Sequence, residues 1–320
     1  MKKILITGCA GFIGSHLSEK LLNDGNKVIG IDNFDNFYDK KIKENNIRKI
    51  LENKNFSFYE IDIRKKEQLN LIKEEDIQIV IHLAAKPGVL PSLKNPEEYI
   101  IANIIGTQNI LDFIKNKKIK KYIFASSSSV YGNNKKIPFC EDDITDNPIS
   151  PYAFTKKSCE LLNFTYHKLY NIDTINLRLF TVYGPRQRPD LAIHKFTKMI
   201  IEGLPILVYG DGTSSRDYTY VDDIIDGIIL SIEAINKKDD IFEIINLGNE
   251  SPIPLNKLIS IISEYLCLKP KIINLPKQLG EVEITYASIE KARRFLGYNP
   301  KFSITYGIAK FIDWYKQNYN

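Results

Sequence analysis

The stretch Lys3-Ile4-Leu5-Ile6-Thr7-Gly8-Cys9-Ala10-Gly11-Phe12-Ile13-Gly14 decides the fold. Residues 3–7 form a short apolar run suited to a buried strand, and the glycines follow without a gap. From 13 to 23 apolar residues recur at helical spacing. Strand, glycine turn and helix in that order make an anion site. Backbone amides collect at the helix N-terminus, and residues without a side chain let a pyrophosphate come close. The spacing is GxxGxxG rather than GxGxxG, which carries little as a bare pattern. Its place between a strand and a helix gives it weight. Gly8, Gly11, Phe12, Ile13 and Gly14 are therefore candidate dinucleotide contacts.

Outward from that turn, apolar runs and helical patterns alternate. Strands are expected at 27–32, 56–61, 78–83, 121–126 and 173–180, with long helices at 96–115 and 151–170. Strands separated by helices of this length form βαβ units, so the fold class is α/β with a doubly wound parallel sheet, a Rossmann fold. Beyond Gly184 prolines and glycines multiply and the elements shorten. One more strand is expected at 243–247, among helices at 192–202, 221–235, 255–265, 289–296 and 304–318. The division expected is a cofactor-binding part over 1–182, returning at about 220–248, and a smaller C-terminal α/β lobe, mainly substrate-binding, over 183–320.

Composition narrows the function. The formal charge of +5 is spread along 320 residues, and nucleic-acid binding needs a clustered basic face. The densest run, Lys115 to Lys121, reads as a solvated helix end. The four cysteines lie far apart, with no CxxC pair and no metal-ligand spacing, which fits reduced thiols in the cytoplasm and no bound metal. No apolar run approaches the length of a membrane span.

Asp32 ends the second strand, where an acid meets the ribose hydroxyls of an adenosine. Asn33 and Phe34 follow, neither of them basic, so a 2′-phosphate would face an uncompensated carboxylate; the cofactor expected is NAD. Asp62 and Ile63, after the third strand, are placed to meet the adenine edge. Further along, Tyr152 and Lys156 stand four apart and share one helix face. A phenol with a reference pKa of about 10 is a poor base at neutral pH, and a nearby ammonium improves it. Just upstream, Ser126-Ser127-Ser128-Ser129 lies at the carboxyl end of the fifth strand, at the ligand crevice.

These motifs carry a resemblance. TGCAGFIG at 7–14, HLAA at 82–85, SSSSVYG at 126–132, YAFTK at 152–156, RDYTYVDDI at 216–224 and LGYNPK at 296–301 together resemble the extended short-chain dehydrogenase/reductase family of nucleotide-sugar epimerases and dehydratases, over essentially the whole chain. The resemblance implies that Tyr152 is the base, that Lys156 holds the nicotinamide ribose and tunes Tyr152, and that Ser127 bonds the reacting hydroxyl. It places Leu83, Ala84 and Ala85 on the cofactor and Arg216 on the diphosphate. Ser128, Thr181, Arg188, Ala192 and Ile193 would line the nucleotide-sugar pocket. It also implies a homodimer built on the helices at 96–115 and 151–170.

Dehydratases of that family carry Asp-Glu just before VYG, and the decarboxylases a Glu. Here Ser128 and Ser129 stand there, which favours 4-epimerisation through a 4-keto sugar. DNFDNFYD at 32–39 and FTVYGPRQRPD at 180–190 look like UDP-glucuronate 4-epimerases in particular. UDP-glucose or UDP-N-acetylglucosamine is the alternative substrate, and decarboxylation of UDP-glucuronate a further one. Gln278-Leu279-Gly280-Glu281 departs from the Arg-x-Gly-Asp common among relatives, leaving substrate contacts there open.

Overall fold

Ile4, Leu5 and Ile6 are wholly buried, and so are Ile79, Val80 and Ile81. Runs that are apolar at every position belong to strands covered on both faces. The computed structural model, which describes residues 1–276 and 283–319, builds twelve strands from such runs and from less apolar ones. They are β1 (Lys3–Thr7), β2 (Lys27–Asp32), β3 (Phe56–Glu60), β4 (Ile79–His82), β5 (Lys121–Ser127), β6 (Asp173–Leu179), β7 (Thr181–Tyr183), β8 (Pro205–Tyr209), β9 (Ser215–Tyr220), β10 (Phe242–Leu247), β11 (Pro252–Pro254) and β12 (Lys271–Leu275).

Seven of them form one parallel sheet in the order β10-β6-β5-β4-β1-β2-β3. The pleat sends alternate residues to opposite faces, so Ile4 and Ile6 join one apolar core and Leu5 the other. The first core takes in the helices Phe12–Asn23 and Val221–Lys237; the second takes in Gly106–Asn116 and Pro151–Tyr170. This is the doubly wound α/β arrangement. The chain runs from β1 outward through β2 to β3, then returns to the other side of β1 with β4. A crevice opens at that reversal, beyond the carboxyl ends of β1 and β4.

The helix expected at 96–115 runs without a break from Pro96 to Asn116, as Pro96–Tyr99, a π-helical stretch Ile100–Ile105 and Gly106–Asn116. A short separate helix, Val89–Lys94, precedes it; Pro96 cannot donate the bond that would continue that helix, and Asn95 takes an extended φ of −134° between the two. Two expectations need correction. A helix at Lys40–Ile47, capped by the Asp39 carboxylate on the Lys41 amide, was not foreseen because its sequence, KKIKENNI, is mostly polar. The C-terminal half holds more strands than the single one expected. β11, β9 and β7 form a three-stranded sheet, and β12 pairs with β8. These strands are short, and SRDYTY of β9 alternates no apolar face, so periodicity gives no signal there.

Candidate active site

Gly8 adopts φ +72°, a left-handed backbone that disfavours side chains. A Cβ on it would meet the Ala84 amide nitrogen at 2.8 Å, and one on Gly14 would meet the Gly8 carbonyl oxygen at 2.1 Å. The turn thus folds onto itself and onto the segment after β4. The Gly8 amide donates to the Ile31 carbonyl at 2.8 Å, which fixes the turn to the end of β2. The helix Phe12–Asn23 opens at Gly11 with no side-chain cap and no acid in its first turn. Its N-terminal amides face the crevice with the positive end of the helix dipole, the environment an anionic pyrophosphate needs. The cradle fits a dinucleotide.

At the adenosine end, Asp32 accepts the amides of Ala10 (3.1 Å) and Phe34 (2.9 Å). Burial pushes its carboxyl upward, while these bonds and the charge of Lys43 pull it back. Sequence reading found no base beside Asp32, but the fold brings Lys43 to it and sets Arg64 by Asp62 and Asp35. Lys43, only 6% exposed, donates to the Asp35 carbonyl and lies 4.5 Å from the Tyr38 ring centre. Arg64 grips Asp62 at 2.9 and 2.5 Å. Burial opposes the charge on Asp62, yet the Arg64 hydrogen bonds hold it below the usual carboxylate range. Asp32, Asp35 and Asp62 against Lys43 and Arg64 leave an excess of acid, which still disfavours a 2′-phosphate. Lys43 was not visible, because it lies far from Asp32 in sequence; Arg64 stands two residues after Asp62 and was open to reading.

At the other end β5 runs into the short turn Ser128–Tyr131. The Ser127 hydroxyl oxygen accepts from the Ser129 amide (3.2 Å) and from the Ser129 hydroxyl (2.9 Å). The helix Pro151–Tyr170 starts with Ser150 as its cap, bonded to the Ala153 amide at 3.1 Å, and Pro151 in its first turn. That start sets Tyr152 and Lys156 at the crevice. Lys156 is 3% exposed; its ammonium donates to the Ala125 carbonyl at 2.7 Å and sits 4.9 Å from the Phe124 ring centre. Tyr152 meets the edge of Tyr99 with ring centres 6.3 Å apart.

One residue the sequence reading missed organises this end. Asn103, 2% exposed and inside the π-helical stretch, accepts from the Lys86 amide (2.7 Å) and donates to the Lys86 carbonyl (3.1 Å) and to the Thr155 hydroxyl (2.9 Å). It ties the loop after β4 to the Tyr152 helix. A buried Asn in an otherwise apolar helix was the available signal. His82 of the HLAA motif is a pin rather than a ligand. It bridges Thr7 (2.6 Å) and Thr107 (3.1 Å), and burial followed by the nearby Lys156 charge pushes it down to about 3, so the ring stays neutral.

Thr181, Arg188 and Arg216 complete the opposite wall. Arg188 is bidentate on Asp190, at 2.9 and 2.9 Å, and lies 5.6 Å from the Phe37 ring centre. Arg216 donates to the Ser215 carbonyl at 2.9 Å. All the expected cofactor residues line one cleft of about 620 Å³, together with Ser127, Ser128, Thr181, Arg188 and Arg216. Ala192 and Ile193 do not: Ile193 is wholly buried in the core, and Leu191 lines the cleft in their place. Lys86 lines it as well, with its ammonium on Glu98. Gln278 to Glu281 lie outside the described residues.

With that geometry in place, known proteins can be compared. The family model for GDP-mannose 4,6 dehydratase matches residues 5–311. The chain belongs to that family. This agrees with the extended short-chain dehydrogenase/reductase motifs. Within the family it is similar to a UDP-glucuronate 4-epimerase of Thermodesulfobacterium geofontis, with 44% identity over 98% of this chain and 96% of the relative. Among solved structures it is similar to the UDP-glucuronic acid 4-epimerase of Bacillus cereus in complex with UDP-glucuronic acid and NAD. There the TM-score is 0.93 and the identity 41%, covering 99% of this chain and 100% of that one. The UDP-glucose 4-epimerase of Thermotoga maritima, with UDP-glucose, gives a TM-score of 0.90 at 32% identity, covering 99% and 100%.

Proposed function

We infer that this family member is an NAD-dependent 4-epimerase that interconverts UDP-glucuronate and UDP-galacturonate. One observation carries the reading. Tyr152, Lys156 and Ser127 share a cleft with an uncapped glycine turn, and the strip beside them, Ser127 to Ser129, contains no acid. Such a strip suits a sugar that is itself an acid, and relatives at 41% and 44% identity bear the UDP-glucuronate name.

NAD fits the cradle of Gly8, Gly11, Phe12, Ile13 and Gly14, with Asp32, Asn33, Asp62, Ile63, Leu83, Ala84 and Ala85 around its adenosine half. Bound there it supplies a hydride acceptor and donor for C4 of the sugar. The protein's own work is proton transfer and orientation. Tyr152 takes the proton of the 4-hydroxyl and returns it after the keto sugar has turned over. The Lys156 ammonium, fixed on the Ala125 carbonyl, shares the helix face of Tyr152 and is placed to hold the nicotinamide ribose beside it. Ser127 bonds the reacting oxygen, and Arg216 holds the diphosphate.

The 4-keto stage is hazardous for this substrate. A carboxylate β to a ketone loses CO₂ when the C5–carboxylate bond aligns with the carbonyl π system. We assign Ser127, Ser128, Thr181 and Arg188 to holding that bond out of alignment. The bidentate grip of Arg188 on Asp190 demonstrates that its fork accepts a carboxylate.

Tyr152→Phe tests the chemistry. It keeps the ring and removes the proton carrier. Turnover should fall by about 10²–10⁴-fold, with NAD affinity within about threefold of wild type; wild-type turnover in this variant sinks the assignment. UDP-glucose and UDP-N-acetylglucosamine, run in the same assay, decide the alternative sugars.

The cofactor part at 1–182 with its return at about 220–248, the substrate lobe at 183–320, the homodimer and a cytoplasmic location complete the proposal. The dimer rests on apolar side chains exposed along two helices, and the location on four unpaired cysteines. No helix among the described residues is long and apolar enough to cross a membrane.

A further inference from the structure

The largest fully buried side chain among the described residues is Arg178, an arginine that the chemistry above does not use. It sits on β6 in register with Ser126 of β5. Its Nε and Nη2 donate to the two Glu160 oxygens at 3.0 and 2.9 Å, and its Nη1 to the Glu141 carbonyl at 3.3 Å. The guanidinium lies 4.8 Å from the Tyr131 ring centre. Ser126 donates its hydroxyl proton to the same carboxylate, at 2.5 Å. Glu160 is 2% exposed. Stability alone does not explain such a pair, since well-packed apolar residues often serve as well or better.

Its place in the fold does. Tyr152, Lys156 and Glu160 recur every fourth residue on one helix and therefore share a face. Lys156 is tied to Ala125 and Glu160 to Ser126, so successive helix turns are bound to successive residues of β5. The next β5 residue is Ser127.

The surrounding charges are balanced. Burial keeps His82 neutral on one side of Lys156, and it keeps Cys159 a thiol on the other. Beside Tyr152, Tyr99 is a phenol pushed up to about 12 by burial, Arg188 is paired with Asp190, and Lys86 with Glu98.

We propose that Glu160 and Arg178, with Ser126, are positioning residues. They set the height and rotation of the helix carrying Tyr152 and Lys156 against Ser127, and they do so without adding net charge beneath the catalytic pair. This rests on the reading of Tyr152 as the base.

Three variants of the full chain test it: Ser126→Ala, Glu160→Gln and the double Glu160→Gln/Arg178→Met. Glu160→Gln removes the bidentate partner of the arginine, about 12 Å of helix rise from Tyr152, and leaves its charge offset only in part, by the Glu141 carboxylate. The acid limb of the pH–rate profile should then move down by about one pH unit. The double variant removes both members of the ion pair and should return the limb to its wild-type position, with kcat still reduced about fivefold and KM within about twofold. Ser126→Ala should show the same split of kcat from KM with an unmoved limb. An unmoved limb in Glu160→Gln, or wild-type kcat in the double variant and Ser126→Ala, overturns the proposal. If Glu160→Gln fails to fold, the other two variants decide it through kcat.

Wild-type enzyme assayed alongside separates the two readings. If it makes no 4-epimer, the functional reading falls. The pair is then judged on the phenolate absorbance of Tyr152, taken as the difference between each variant and its Tyr152→Phe counterpart. The same displacement is expected there, and its absence overturns the pair's role.

Discussion

Arg188 shows how one residue's partner changes the argument about its role. Sequence alone makes it an arginine in a loop, with a sugar carboxylate as its suggested ligand. The fold gives it Asp190 on its fork and the Phe37 ring beside it. Burial works against its charge, and the Asp190 carboxylate holds the guanidinium firmly protonated. Its side chain is 19% exposed and that of Asp190 35%, so the pair is mostly buried at the wall of the cleft, with its carboxylate the more open partner. A carboxylate arriving on the substrate would replace one bidentate pair by another. Arg188→Ala and Thr181→Ala should each lower kcat/KM for UDP-glucuronate at least tenfold and raise the share of pentose among the products. Chromatography of the products reads both. An unchanged ratio of epimer to pentose would remove the carboxylate-holding role from these residues, whatever happened to the rate.

Helices and strands differ in how much of themselves they declare in the sequence. β1, β4 and β5 are apolar throughout or nearly so, and the helix Pro151–Tyr170 carries its own start signal in Ser150-Pro151. These were legible, and they hold Gly8, Ser127, Tyr152 and Lys156. β8 and β12 were not. Each is five residues long, and their pairing joins segments some 66 positions apart, as Lys271 against Pro205 shows. Local pattern carries no trace of such a partner. Lys43 escaped notice for the same reason, being brought to Asp32 by the fold, whereas Arg64 stands two residues after Asp62 and was open to reading. The apolar faces of two elements also remain unaccounted for within one chain. Ile100, Ile101 and Ile105 are about 40% exposed, and Phe154 and Leu161 on the Pro151–Tyr170 helix are 46% and 58% exposed. Solvated helices place polar residues on such faces. A second copy of the same two helices would cover them with twofold symmetry. Leu161→Lys puts a charge into that contact. Sedimentation velocity should give a dimer for the wild type and a monomer for the variant, with NAD binding retained. A wild-type monomer at micromolar concentration would refute the dimer.

The molecule as a whole carries a load of neutral buried histidines that bears on its pH range. His194 is 3% exposed, and neither ring nitrogen has a hydrogen-bond partner. Phe311, Trp314, Tyr315 and Tyr319 surround it, with ring centres 5.1 to 6.3 Å away. Burial pushes His194 and His16 down to about 4, and His82 to about 3. In the unfolded chain each would titrate near 6.5. Between that value and about 4 the unfolded state binds more protons than the folded one. Stability is therefore fully present above about pH 6.5 and falls as the pH drops through this window. His194→Phe replaces one of these groups by a ring suited to its aromatic surroundings. Its Tm should match wild type at pH 8 and exceed it at pH 5 by about 2–4 °C. Parallel Tm–pH curves would show that His194 contributes nothing to the acid sensitivity. The same whole-molecule view governs the central claim, because the cleft draws on both halves of the chain. The most direct test is a proton NMR time course of the enzyme with NAD and UDP-glucuronate. The account predicts that the anomeric signal of UDP-galacturonate grows to a plateau while no pentose signal appears. Folded, NAD-loaded enzyme that leaves UDP-glucuronate untouched, or turns it into a pentose, would contradict it.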